Sequence, residues 1–121
     1  MIIKKEDIKD PFVSPLGFKV YEMIGQGDEP IKAKNFSFIH ITMPQNKSSS
    51  IHFHKETEEL HYVISGEGEW IVDGTSHKLV KGMAISLPLN KHHQVKNIGK
   101  TDLEFIEFAS PGWTESDYFE V

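Results

Sequence analysis

Apolar and polar side chains alternate along this chain in short runs, each closed by a residue that turns the backbone. Phe36 to Met43 (FSFIHITM) is rich in aromatic and β-branched residues and stops at Pro44, after which the polar stretch QNKSSS leads to Ile51 to His54. Leu60 to Ser65 (LHYVIS) ends at Gly66, Trp70 to Val72 meets Asp73-Gly74, and His77 to Val80 stops at Lys81-Gly82. Ala84 to Leu87 ends at Pro88, His92 to Ile98 at Gly99, and Leu103 to Ala109 at Pro111-Gly112. Runs of this composition suit pleated, half-buried strands, and an Asp-Gly pair between two of them signals a tight hairpin. Turn signals every ~8 to 12 residues, with no sustained helical period, predict an all-β sandwich or barrel.

One domain is expected, because 121 residues enclose a single core but not two. The pattern divides the chain into an N-terminal arm and edge strands of the barrel over 1–35, a barrel core over 36–111 and a C-terminal tail over 112–121. The tail has room for one short helical turn after Thr114. Ile39, Ile41 and Phe53 alternate with the Phe38 and His40 series, so apolar character falls on both faces. That pattern predicts that one face is covered by a second subunit, in a homodimer.

Composition narrows the function classes. A hydrophobic fraction of 38% with 26% charged residues suits a soluble globular domain. No apolar run reaches the ~20 residues of a membrane-spanning helix, and the start, MIIKKEDIKD, lacks the apolar stretch of a secretory signal. Cysteine is absent, so disulfides and thiolate ligands are excluded, and the cytoplasm is the expected compartment. The net charge of −5, with no basic stripe, argues against nucleic acid as a partner. Lys47, Lys55 and Lys91 are the positive charges nearest the histidines discussed next, and are expected on the solvated surface.

Seven histidines are the one compositional oddity, and their placement carries the chemistry. His52 and His54 flank Phe53 in a strand-like run, so their imidazoles project to one face and can chelate one ion. Glu59, His61 and Val63 share a face of the next strand, whereas Glu58 belongs to the other face or the turn. Adjacent His92 and His93 point to opposite faces if extended, so only one of them can join a given site. His40 and His77 read as ordinary surface or partly buried residues.

The stretch from Asn46 to Gly66 (NKSSSIHFHKETEELHYVISG) resembles the first motif of the cupin superfamily, with His52, His54, Glu59 and Gly66 in its key places. Glu58 would satisfy one spacing of that motif but miss the next by one residue. The stretch from Gly82 to Asn97 (GMAISLPLNKHHQVKN) resembles the second motif, with Gly82, Pro88, His93 and Asn97 in register. Two glycine positions of the motifs are occupied by Asn46 and Asn90, and asparagine is the side chain that best tolerates a positive φ there. The resemblance implies a small single-domain cupin, a double-stranded β-helix or jelly-roll barrel. It also implies one divalent transition metal, among Fe, Mn, Ni, Zn, Co and Cu, held by His52, His54, Glu59 and His93, and it adds weight to a homodimer.

Three imidazoles and one carboxylate on an octahedral ion would leave two positions open, the arrangement of a catalytic ion. The expected function is a small metal-dependent enzyme of dioxygenase, isomerase or lyase type acting on a small oxygen-rich molecule, or alternatively a noncatalytic cupin that binds or senses a sugar-like ligand. His61 is the candidate general acid or base, against its alternative as an interior histidine bonded to a neighbour. Glu107, on LEFIEFA, is expected to face solvent, because burying an unpaired carboxylate is costly.

Overall fold

The computed structural model describes residues 1–121 and consists of two facing β-sheets with short 3-10 turns at Lys5–Asp7 and Glu115–Asp117. In chain order the strands are β1 (Phe12–Val13), β2 (Lys19–Gly25), β3 (Ile31–Lys32), β4 (Ser37–Met43), β5 (His52–Phe53) and β6 (Glu58–Ser65). They continue as β7 (Glu67–Val72), β8 (Thr75–Val80), β9 (Ala84–Leu87), β10 (His93–Asn97), β11 (Leu103–Ser110) and β12 (Phe119–Glu120). One sheet runs β1-β2-β4-β11-β6-β9 with β3 paired to β2, and the other runs β12-β5-β10-β7-β8. This is the jelly-roll barrel expected from the sequence. No helix is long and apolar enough to cross a membrane.

Alternation places the core. Along β4 every second residue is buried, so Ile39, Ile41 and Met43 turn inward while Phe38, His40 and Thr42 turn out. They meet Val63, Leu103 and Phe105 of their own sheet and Trp70, Leu79 and Val95 of the facing one. Two features lie outside the strand runs of the sequence pattern. Lys19–Gly25 forms a full strand along β4, and Phe119–Glu120 pairs with β5, so both terminal segments are woven into the sheets. The short turn expected after Thr114 is present at Glu115–Asp117.

Register across the larger sheet aligns residues from distant parts of the chain. Glu22 lies opposite Ile39, Ile39 opposite Glu107, and Glu107 opposite His61, making one row over β2, β4, β11 and β6. Turns hold the motif loops as their asparagines predict: Asn46 has φ 67° and Asn90 φ 66°. The Asn90 N–H donates to the His54 carbonyl at 2.7 Å and so ties the second motif to the first. Asn97, 5% exposed, fixes the next turn by donating to the Met43 and Thr101 carbonyls and accepting from the Gly99 N–H.

The largest fully buried side chain, Trp70, folds its ring back over Gly68 two residues earlier. A Cβ at Gly68 would collide with that ring and come within 2.8 Å of Leu103. Gly68→Ala is therefore expected to cost about 1–3 kcal/mol of stability through overpacking. Urea denaturation checks this, and an unchanged midpoint would contradict it.

Candidate metal centre

Three histidines on one sheet face a carboxylate on the other. His52 lies in β5 and His54 just beyond it, and antiparallel pairing sets His93 of β10 directly opposite His52, with ring centroids 4.2 Å apart. Glu59 reaches them from β6, with its carboxylate 3.4 Å from His54 Nε2 and 3.5 Å from His93 Nε2. One ligand atom from each of the four residues lies within 4.8 Å of all the others.

The backbone decides which ring nitrogen carries the proton. His52 Nδ1 donates to the Ser50 carbonyl at 3.0 Å, His54 Nδ1 to the Asp117 carbonyl at 2.7 Å, and His93 Nδ1 to the Lys91 carbonyl at 3.1 Å. A carbonyl only accepts, so Nδ1 carries a proton in each case, and in the neutral ring the Nε2 lone pair is the free one. Burial, and then neighbouring His93, push the His52 pKa down to about 4, which keeps that ring neutral near pH ~7. Burial works to raise the Glu59 pKa, but its histidine neighbours, His61 foremost, outweigh it and hold the carboxylate well below its usual range. The Nε2 atoms of His54 and His93 lie beside the Glu59 carboxylate and are buried without a hydrogen-bond partner. A cation among them would turn mutual repulsion into ligation, so the donor set fits a divalent transition metal.

His61 sits beside this group, 1% exposed, with both nitrogens engaged. The Trp70 indole N–H donates to Nδ1 at 2.9 Å, which leaves Nε2 to donate to Glu59 at 3.0 Å. Burial opposes a second proton on this ring, whereas Glu59 and Glu107 favour one and raise its pKa. The Trp70 N–H, however, stands where that proton would have to go, so the ring is best described as neutral and protonated at Nε2. For the same reason Glu59, His61 and Glu107, although clustered within 4.8 Å, make a poor ion site. The nitrogen facing the two carboxylates is a donor. His61 orients the Glu59 carboxylate.

Glu107 departs from expectation. It turns inward beside His61, 3.8 Å from Nε2, with its side chain 22% exposed. The phase of β11 requires this, since Leu103, Phe105 and Ala109 point the same way into the barrel. Its carboxyl fronts a cavity of about 740 Å³ and not packed core. Burial, and then the Glu59 charge, push the Glu107 pKa up to about 7.

Both terminal segments build that cavity. Phe12 to Phe18 forms one wall, and Trp113, Tyr118 and Glu120 form another. Asp117 anchors the second: its carboxylate accepts the N–H groups of Lys55, Glu56 and Thr57, while its carbonyl holds His54 Nδ1. Tyr118 stacks near His52 at 4.8 Å between centroids, with its hydroxyl 2.5 Å from Ser50 Oγ. Nothing in the composition of the tail announces these contacts, although an Asp in a short turn beside aromatics is a pattern that could have drawn attention. The remaining histidines stay outside the site. His92 stacks on Phe53, and His40 pairs with Glu104.

The chain matches the cupin domain family over residues 39–109, more than half its length, and it belongs to that family. It is 26% identical over 117 residues to an uncharacterized protein of Methanocaldococcus jannaschii, covering 96% of this chain and 92% of that one. It is 27% identical over 99 residues to the mannose-1-phosphate guanylyltransferase of Escherichia coli (strain K12), covering 82% of this chain but only 21% of the enzyme. The chain therefore spans about a fifth of the length of that relative. Among solved structures, a "predicted oxalate decarboxylase" of Thermotoga maritima superposes with a TM-score of 0.78 at 21% identity, over 92% of this chain and 99% of that one, a likeness of fold.

The Glu107 shift fixes a pH dependence for the metal-free protein. An acid whose folded pKa lies near 7 instead of 4.5 contributes stability fully below about 4.5, and loses it as pH rises through 7. The loss is about 3 kcal/mol at most. Glu107→Gln removes this titration, so relative to the parent its stability is expected to gain as pH rises across this window and to exceed that of the parent at alkaline pH. Chemical denaturation at pH ~5 and ~8 checks this, and parallel pH profiles for the two proteins would contradict it.

Proposed function

We propose that this cupin holds one divalent transition-metal ion through His52, His54, Glu59 and His93. We further propose that it works as a small metal-dependent enzyme, of dioxygenase, isomerase or lyase type, on a small oxygen-rich molecule in the adjoining cavity. One observation carries the reading: bare Nε2 lone pairs surround an ionised carboxylate, two of them buried without a partner, at the wall of a cavity of about 740 Å³. When bound, the ion would polarise a substrate oxygen or acidify a water. The chain supplies the rest. Glu107, with a pKa of about 7, stands at the cavity wall where it can take a proton from a ligand or return one at neutral pH. His61 keeps the Glu59 carboxylate turned toward the three imidazoles, and Tyr118 closes the side next to His52.

Elemental analysis of the purified protein is expected to show about one metal ion per chain. Replacing His52, His54 and His93 together by Ala should abolish that uptake, and intact uptake by the triple variant would overturn the proposal. Protein reloaded with Fe(II), Mn, Ni or Zn is then followed for oxygen consumption and substrate loss. Tight ligand binding without turnover under every metal would replace the enzyme by a binding or sensing protein.

The proposal extends to a homodimer formed on the outer face of the seven-stranded sheet. There Leu60, Tyr62 and Phe108 are 43%, 47% and 37% exposed on the adjacent strands β6 and β11. Sedimentation should give a dimer mass for the parent and a monomer for Tyr62→Lys. A monomeric parent would overturn this part.

A further inference from the structure

Charge and hydrogen-bonding capacity are unevenly distributed inside the cavity. Five glutamates line it (Glu22, Glu59, Glu107, Glu115 and Glu120), and no lysine does. All 13 basic residues of the chain are lysines, so no guanidinium exists anywhere to clamp a phosphate or carboxylate. The three lysines nearest the motifs are turned elsewhere: Lys91 pairs with Asp73, Lys55 lies over the Phe119 ring, and Lys47 packs against Gly17.

Two of the glutamates have a further property. The Glu22 and Glu107 carboxylates make no hydrogen bond within the protein, yet both face the cavity from one row of the sheet, separated by Ile39 on the strand between them. Two strand spacings put their backbones about 10 Å apart, the span of a substituted ring. Unpartnered carboxylate oxygens are acceptors waiting for donors, and a hydroxyl is a donor they can satisfy. Phe12, Phe18, Phe105 and Trp113 supply flat apolar surface, and Ser14, Ser49 and Ser50 add neutral hydroxyls to the lining.

We infer that the cavity selects an uncharged, hydroxylated ring compound, with its hydroxyls toward Glu22 and Glu107 and its ring against the aromatic wall, and discriminates against phosphate esters and carboxylates. The inference rests on the reading of this cavity as the ligand site. An added anionic group would meet like charge from several glutamates with no cationic side chain to receive it. A bound divalent cation would itself favour anionic oxygen ligands, so a preference for the neutral molecule has to come from the glutamates of the chain.

Protocatechuate and its amide form a suitable probe pair, matched in ring, diol and size and different in charge. Calorimetry on the zinc-loaded protein is expected to show the amide binding at least about tenfold more tightly than the acid. Glu22→Gln and Glu107→Gln should each narrow that ratio, chiefly by improving binding of the acid. Equal or tighter binding of the acid, or binding of neither compound, would overturn the inference. Zinc content measured on the same samples reports separately on the metal centre. Should the protein take up no zinc, the pair is compared on the metal-free chain, where the same glutamates still set the ratio. A zinc-replete protein that prefers the acid would leave the metal centre standing and remove only the charge selectivity.

Discussion

Everything at the centre of this molecule depends on where three imidazole protons sit. Each is drawn to Nδ1 by a backbone carbonyl, from Ser50, Asp117 or Lys91, which in the neutral ring leaves the other nitrogen free within the group that Glu59 completes. Side-chain partners could swap roles with pH or rotamer, but a main-chain carbonyl cannot become a donor. The result is a cluster of electron-rich atoms that the protein alone does not satisfy. Burying such atoms is unfavourable unless something positive joins them. The fold therefore carries a local cost whose natural remedy is an ion.

Around that cluster the two sheets divide the labour. The smaller sheet fixes the histidines through the pairing of β5 with β10 and the turn at Asn90, and the larger sheet presents Glu59. Trp70 and His61 bridge the core to the site: an indole that must find an acceptor finds the one nitrogen whose engagement turns the other toward Glu59. The largest fully buried side chain of the hydrophobic core is thereby tied to the orientation of the most buried carboxylate.

Much of this was legible in the sequence because strand alternation is local. The shared face of His52 and His54 and the tolerance of Asn46 and Asn90 for positive φ follow from neighbouring residues alone, whereas alternation admits only one of His92 and His93 and the resemblance to the second cupin motif selects His93. The parts that were not legible depend on pairing over long distances. Glu107 follows the inward phase of Leu103 and Phe105, but the sequence does not say that the interior at this level is hollow, so burial looked too costly. The terminal segments carry no motif, and their roles as cavity walls arise only once β2 lies along β4 and Asp117 gathers three amides of the 55–57 turn. His61 was the intermediate case. Its face was readable, while its bond to Trp70 required the hairpin to close.

The placement of the donors on opposite sheets has a mechanical consequence. An ion gripped by both layers would act as a rivet, so releasing it and prying the layers apart would become a single event. Motions that widen the barrel would be damped most at this end, and the far end, around the Gly66 turn between β6 and β7 and the turn between β10 and β11, would be left freer to breathe.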